Sequence, residues 1–587
     1  MVKYFVVSRR IRRVCQHGFL LMICAMTIIG LGILMIIPRS VDPSSTVSTE
    51  PVKELLPDRK QGPVSTNDSV PELMELLPEP PERKPGPVSC ATVEEMGELY
   101  ADGHEKESLR VRKLIHRHFE LNGASRIRGL PAEQFCKQGF VLGKAYEAGF
   151  GNEMYKILTN AALSIMLNRS LIIGQTRHIL VLFLSNRFCY HLEKFPFGDY
   201  ISYSNVSFTL KEVKHLWQKN GCKAKYGIDL EIRTDDFKNT AEANVLCSNW
   251  RNWKHPIIWF QGTTDAMGIQ FFLKNVHPEM RNAAFELLGQ PYVQSKPNVF
   301  GELMKVLISP SGNVKEAVKW VLGGGADPDI VLHMRMLMSR SGKAVNAALK
   351  CIQKAVQSYK HQIGSRPRVV LISDTPSLIK YITPALQEFA EVLHFDYETF
   401  QGNVSDKSIN RTKQLASRTR DWGPAPRWVA VVDFFLAARA KYAVISGAKS
   451  RIGTTYAQLI AALAAAHQLQ GEENLSSMNA MRFSFLSSFQ SNLLAEGLKK
   501  QAGWGHAWNR FAGTLSCSNQ TDQCAHTPLL PPGWWDGDWQ SPHPRDVYKL
   551  KGFGVKLTSL GKINEKYLQS FCKSRKDVVK TVPVSSH

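Results

Sequence analysis

The sequence predicts an α/β protein built on parallel strands, and three units in its second half carry that prediction. In each, a short unbroken apolar run precedes a segment with helical spacing, the pattern of a strand covered on both faces. The runs are Ile330-Val331-Leu332, Val369-Val370-Leu371-Ile372 and Tyr442-Ala443-Val444-Ile445.

The first run leaves the turn Gly323-Gly324-Gly325 and leads to a helix with apolar positions Val345, Leu349, Ile352 and Val356. Between them, His333 and Arg335 stand where strand gives way to loop. Open α/β sheets bind ligands at the carboxyl ends of strands. A fixed guanidinium there suits a diphosphate, which it grips bidentately; an ordinary surface arginine is the competing reading. The second run ends in Ser373-Asp374, with Pro376 in the first turn of the next helix. Asp374 either caps that helix or accepts hydrogen bonds from a nucleotide's base or ribose at the sheet edge.

The third run follows a helical segment from Trp428 to Arg439 that carries Asp433 in its middle. It empties into Ser446-Gly447-Ala448-Lys449-Ser450-Arg451-Ile452-Gly453-Thr454-Thr455, ahead of an alanine-rich helix from Tyr456 to His467. Backbone amides, hydroxyls and two cations at a helix start suit a diphosphate. The spacing GxxxxGK[ST] is absent, so this is not a P-loop.

The first half reads as a helix from Arg110 to Leu121. Next comes the turn Tyr146-Glu147-Ala148-Gly149-Phe150-Gly151-Asn152-Glu153, and then a helix with Met154, Ile157, Leu158, Ala161 and Ile165 on one stripe. The glycine turn either offers helix N-terminal amides to an anion or sugar hydroxyl or is simply tight. Strands are expected at Leu171-Ile172-Ile173, Leu180 to Leu184, Val245-Leu246 and Ile257 to Phe260. Trp250, Trp253 and Trp259 read as core rather than as sugar platforms. Trp504 to Asp546, rich in glycine and proline, reads as loops, either an acceptor surface or an appendage packed on the body.

The chain has 587 residues, 44% of them apolar, which excludes disorder throughout and allows more than one domain. Net charge is +22; five of those charges lie before Gly18, and the remaining +17 is dispersed, which fits anionic small molecules or glycans at least as well as nucleic acid. Gly18 to Ile37 is twenty residues without a charge, long enough to span a bilayer. Read as an anchor, with basic residues on its N-terminal side, it keeps the tail cytosolic and the body lumenal; a cleaved signal peptide is the competing reading. Seven N-x-S/T sequons, at Asn67, Asn168, Asn205, Asn403, Asn410, Asn474 and Asn519, agree with that address. Of the 11 cysteines, two lie in or before the apolar stretch. The other nine suit an oxidising lumen, with Cys517 and Cys524 able to close a short loop and Cys351 expected as a buried free thiol. No cysteine or histidine cluster has zinc spacing. From about Pro38 to Val88 the composition turns to Pro, Ser, Glu and Lys and reads as a disordered stalk carrying a short duplication, Glu54-Leu55-Leu56-Pro57 returning as Glu75-Leu76-Leu77-Pro78.

The order Gly149-Phe150-Gly151-Asn152, His333-x-Arg335, Ser373-Asp374, then Asp433, Ser446 and Ser450-Arg451-Ile452-Gly453 resembles the fucosyltransferase superfamily: α1,2-, α1,6- and protein O-fucosyltransferases and the plant xyloglucan type. The likeness runs from about Glu147 to His467 through scattered motifs. It implies a GT-B fold, two Rossmann-like domains facing a cleft, with GDP-fucose held by the second. It also implies Arg335 on the diphosphate, Asp374 on the nucleoside and the loop with Ser450 and Thr454 around the phosphates. Gly151, Asn152, His333, Ser446 and Arg451 complete the expected donor site, and Glu147, with Arg335, is the expected catalytic pair, Glu147 as base. Many members follow H-x-R with another Arg and an Asp; here Met336, Leu337 and Met338 follow.

The expected organisation is a cytosolic tail (1–17), a transmembrane signal-anchor (18–37), a stem (38–105), an N-terminal acceptor-side Rossmann-like domain (106–320), a C-terminal nucleotide-sugar-binding domain (321–490) and a C-terminal extension (491–587). The expected function is that of a type II Golgi membrane protein, an inverting glycosyltransferase moving fucose from GDP-fucose to a glycan or glycoprotein, with no required metal or other cofactor. A transferase of another nucleotide sugar and a non-catalytic Golgi glycan-binding or scaffold protein are the alternatives.

Overall fold

The structure is a computed structural model. It describes residues 104–145, 149–175, 195–236, 246–261, 274–289, 297–336, 342–358, 366–402, 425–426, 428–446, 455–469, 485–490, 522–526, 551–556, 563–575 and 580–584. The apolar stretch Gly18 to Ile37, the stalk and the predicted strand Leu180 to Leu184 lie outside them. Among the described residues no helix is long and apolar enough to cross a membrane.

The chain from Pro85 onward forms one compact unit, built on two parallel sheets. The first contains β1 (Phe140–Ala145), β2 (Ser170–Gln175), β4 (Glu231–Asp236) and β5 (Ile257–Gln261). A small antiparallel pair, β3 (Ile201–Tyr203) and β6 (Ile308–Pro310), stands apart from it. The second sheet contains β7 (Ile330–Met334), β8 (Arg368–Ser373), β9 (Glu391–Leu393), β10 (Tyr442–Ser446), β11 (Phe485–Gln490) and β12 (Asp522–His526). The last strand, β13 (Lys580–Pro583), returns to pair antiparallel with β4 in the first sheet. The three apolar runs of the second half are thus β7, β8 and β10, all parallel.

The helices that matter to the site are α1 (His104–Asn122), α2 (Phe150–Met166), α3 (Val299–Leu307), α4 (Gly312–Leu322), α5 (Gly342–Ser358), α6 (Pro376–Gln387), α7 (Val429–Ala437), α8 (Thr455–Gln468) and α9 (Glu565–Ser574). The order of the second sheet is β12-β11-β10-β7-β8-β9. Numbered along the chain from β7, its parallel strands run 3-2-1-4-5, the doubly wound order, which reverses between β7 and β10. The parallel strands of the first sheet are ordered β4-β5-β1-β2, chain order rising in the same direction on both sides of the β5–β1 pair, with β13 at the edge.

Strand alternation splits β7 between two cores. Ile330, Leu332 and Met334 face the cluster that takes Val345, Ala348, Cys351 and Ile352 from α5. Val331 joins a larger cluster that includes α2, α3, α7 and α8. His333 has the parity of Val331 and so shares the side of α7 and α8.

Several expectations need correction. Cys351 is disulfide-bonded, not a free thiol; a buried apolar helix face accepts a half-cystine as readily as a thiol. Two further disulfides join Cys136 to Cys222 and Cys247 to Cys572, the second tying α9 to the first half. Leu246 lies in a turn rather than a strand, because two apolar residues do not make a ladder without a neighbour in register. The stretch read as loops holds β12, which finds its hydrogen-bond partners on β11 rather than in local propensity. Trp250, Trp253 and Trp259 are core as expected, all buried.

Candidate functional site

Three strand ends of the second sheet lie in one row. Met334 of β7 is in register with Ser373 of β8 and with Ser446 of β10. The residues just beyond, Arg335, Asp374 and the loop after Ser446, therefore emerge side by side at the carboxyl edge. The reversal between β7 and β10 opens a crevice at that point, because the connections leave on opposite faces of the sheet.

His333 is buried, and its ring centroid lies 5.4 Å from that of Tyr456, in the first turn of α8. Burial first, and the charge of Arg335 second, push its pKa down to about 3. The imidazole is therefore neutral at physiological pH. Its Nδ1 has no hydrogen-bond partner among the described residues. Arg335, half-buried beside it, supplies the fixed positive charge.

Asp374 does not cap α6. Thr375 occupies the N-cap, with Pro376 opening the helix. One carboxylate oxygen of Asp374, Oδ1, instead accepts the Met336 N–H at 2.8 Å and the Thr375 hydroxyl at 3.3 Å. The first bond ties the end of β8 to the residue that follows Arg335, so Asp374 fixes the backbone that carries the guanidinium.

The first half reaches this edge through α2. A Cβ on Gly151 would lie 2.5 Å from the Tyr456 amide nitrogen and 2.9 Å from Thr455 Oγ1. Only glycine permits so close an approach of the two helix starts. The Thr455 hydroxyl donates to Asn152 Oδ1 at 2.7 Å, and the Tyr155 hydroxyl, one turn further, donates to Gln458 Oε1. Phe150 packs on Phe434 of α7 and on Tyr456, with centroids 4.8 Å and 5.8 Å away. The N-termini of α2 and α8 thus meet beside His333, and both bring the positive end of a helix dipole to one place.

The far end of α8 is also held by the first half. Arg112 donates to the carbonyls of Ala466 and Leu469 at 3.1 Å and 3.0 Å, and Lys305 to that of Ala466 at 3.0 Å. Cations on the last carbonyls of a helix complement its negative end. Close packing of α3 on α8 has the same requirement as at Gly151: a Cβ on Gly301 would lie 2.1 Å from the Ala462 carbonyl oxygen.

Asp433, in the middle of α7, has its carboxyl pushed up to about 8 by burial. Burial first, and the charge of Asp433 second, raise the Tyr456 hydroxyl well above its usual range. Tyr456 donates that hydroxyl to the Ala430 carbonyl at 2.6 Å.

Of the residues singled out by sequence, the fold brings together Gly151, Asn152, His333, Arg335, Asp374 and the backbone of Ser446. Glu147, Ser450, Arg451 and Thr454 lie outside the described residues. Gly151 and Asn152 are engaged with α8, so the glycine turn serves packing between the halves. Sequence reading took Thr455 as the loop's end, Tyr456 as the helix start and Ala457-Gln458 as part of the family motif, and foresaw none of the contacts that these residues and Tyr155 make. Their partners lie some 300 positions away, 303 for both hydrogen bonds, beyond the reach of any local pattern. It also missed Lys144 and Arg233, both buried. Lys144 Nζ stands 4.1 Å from the Trp259 ring centroid; the Arg233 guanidinium stands 3.3 Å from that of Trp253 and pairs with Asp235 at 3.4 Å. Among the described residues, no group of three or more His, Cys, Asp or Glu could hold a metal ion.

A model of a family of unknown function, DUF7810, matches residues 85–584. No curated protein matches the sequence. Among solved structures, the chain is similar to an Arg-to-Lys mutant of Arabidopsis thaliana FUT1 in complex with GDP, at 10% identity and a TM-score of 0.37, over 60% of this chain and 77% of that one. It is similar to the fucosyltransferase NodZ from Bradyrhizobium at 13% identity and a TM-score of 0.28, over 57% and 94%. It is similar to POFUT1 in complex with GDP-fucose at 13% identity and a TM-score of 0.29, over 57% and 96%.

Proposed function

We propose, for a chain that belongs to the DUF7810 family of unknown function, the activity of a nucleotide-sugar-dependent glycosyltransferase of GT-B architecture, transferring fucose from GDP-fucose to a glycan or glycoprotein hydroxyl. The observation that carries the reading is His333-x-Arg335 at the carboxyl end of β7, where the order of the second sheet reverses. A diphosphate there meets a fixed cation, a neutral imidazole with a ring nitrogen to offer, and two converging helix N-termini.

In the inverting reaction the acceptor oxygen bonds the anomeric carbon of the sugar as the bond from that carbon to the diphosphate breaks. Negative charge grows on the departing phosphate, and Arg335 offsets it. The acceptor proton passes to a carboxylate, Glu147 by sequence. Asp374 acts on Arg335 through the Met336 amide. Ser450, Arg451 and Thr454 surround the phosphates, and no metal or other cofactor is required.

Met336 is buried and apolar where the resembled family often has a second arginine. That observation favours, as a second reading, a GT-B transferase with a different donor. The body is lumenal and anchored in the Golgi membrane by Gly18 to Ile37 as a type II protein. The two described disulfides support an oxidising compartment.

The test is a melting series of the purified protein with GDP, GDP-fucose, GDP-mannose, UDP-galactose and UDP-xylose. A ligand present at a hundredfold over its Kd stabilises the folded state by about 2.7 kcal/mol. Shifts with GDP and GDP-fucose alone support the fucosyl reading. Shifts with UDP sugars alone discard that donor, and no shift with any of them discards the transferase.

A further inference from the structure

Two of the seven sequons fall on described asparagines that the fold leaves exposed, Asn168 and Asn205. Asn168 follows the last turn of α2 in the left-handed region, at φ 54°, a conformation that asparagine tolerates better than most residues. Its Oδ1 accepts a hydrogen bond from Asn122 Nδ2 at 2.8 Å. The Oδ1 of Asn205 accepts from the Arg128 guanidinium. Both amides are thus oriented alike, the oxygen turned onto the protein by a donor and Nδ2 on the opposite side of the amide. The donors come from one short stretch, Asn122 to Arg128, at the end of α1.

We propose that Asn168 and Asn205 are sites of N-linked glycosylation. The co-reactant is a lipid-linked oligosaccharide diphosphate. Nδ2 bonds its anomeric carbon, the bond from that carbon to the diphosphate breaks, the lipid diphosphate leaves, and the amide gives up one proton. The modification rests on the lumenal reading above and not on the transferase reading. Asn168 precedes β2 and so sits at the amino edge of the parallel first sheet. The candidate site meets the other end of α2, roughly 25 Å away at about 1.5 Å per residue over the 17 residues of the helix. A glycan on Asn168 lies at the end of α2 away from the candidate site.

The full chain is expressed in eukaryotic cells, digested with a peptide-N-glycosidase that converts a glycan-bearing Asn to Asp, and peptide-mapped; protease protection in sealed vesicles is read on the same sample. Asp is expected at positions 168 and 205. Asn168→Gln and Asn205→Gln should each remove one glycan from the intact mass, while Ser170→Thr and Ser207→Thr should retain it. GDP titration before and after deglycosylation should give the same Kd. Unmodified Asn168 and Asn205 in a protease-protected body overturn the proposal alone. A body open to cytosolic protease overturns the lumenal reading and this proposal together, with the nucleotide titrations untouched.

Discussion

The two sheets are alike in plan and differ in how they use their cations. Each is mostly parallel, and the second reverses its strand order at an internal pair, β7 and β10. In the first, Lys144 and Arg233 are buried against the faces of Trp259 and Trp253, and Arg233 pairs with Asp235. In the second, Arg335 stands just beyond the end of β7, half-buried, beside a neutral His333 and the starts of two helices. A cation over a tryptophan within a core stabilises the sheet that holds it. A cation at a strand end, on backbone fixed by a neighbouring carboxylate, stands at the edge where open α/β sheets bind ligands. On the proposed reading the first sheet's cations serve stability and the second's serves recognition, a division that mutations can break.

The largest effect is expected for Arg233→Ala. It removes the ring contact and leaves Asp235 buried without this partner, a loss of about 3–5 kcal/mol, read by urea unfolding, while GDP affinity in the folded fraction stays unchanged. If Arg233→Ala abolished GDP binding in a fully folded protein, the division between the sheets would be wrong. Next comes Gly151→Val, which forces side-chain atoms into the Tyr456 backbone. Overpacking of this kind costs about 1–3 kcal/mol and should lower the melting temperature and weaken GDP binding together, because it displaces α8. Gly151 acting only as a ligand contact would instead give weaker binding at an unchanged melting temperature.

Asp374→Ala should cost about 1 kcal/mol of GDP affinity, the net value of a typical hydrogen bond, by loosening the Met336 backbone. Titration calorimetry reads it, and an effect larger than that of Arg335→Ala would return Asp374 to direct ligand contact.

The smallest effects are in pH dependence. His118 and His333 are lowered to about 4 and about 3, each chiefly by burial. The unfolded chain therefore binds more protons than the folded one below the usual histidine value of 6.5, and stability falls as pH drops from 6.5 through those values. Asp433 works in the other direction. Raised to about 8, it keeps its proton in the folded state while the unfolded chain has lost it above 3.8, so its contribution falls as pH rises from 3.8 through about 8. Asp433→Asn should remove the decline between pH 3.8 and about 8 and leave the slope outside that window unchanged.

Most of the second sheet's site was legible in the sequence. β7, β8 and β10 are continuous apolar runs bounded by turn residues, and burial on both faces imposes that pattern locally. The placement of His333, Arg335 and Asp374 at strand ends follows from the same runs. What was not legible depends on distance along the chain. β13 lies in the C-terminal extension and completes the first sheet by pairing with β4. β11 and β12, with their serines and glutamines, carry little apolar signal and exist through pairing with neighbours. Gly151 looked like a ligand turn because a glycine before a helix has the same local appearance whether a phosphate or another helix approaches it. The bond from the Met336 amide to Asp374, 38 residues away, was likewise beyond a local pattern, in which Asp374 read as a cap or a nucleoside contact.

The central claim is that Arg335, at the reversal of the second sheet, binds a nucleoside diphosphate. Titration calorimetry of GDP into the wild-type protein and into Arg335→Ala tests it most directly. Charged hydrogen bonds are worth about 1.5–3 kcal/mol, and about 1.4 kcal/mol is tenfold in Kd. The account predicts GDP binding by the wild type and a loss of roughly tenfold or more in folded Arg335→Ala. Equal affinity in the two proteins, or no binding by either, contradicts it.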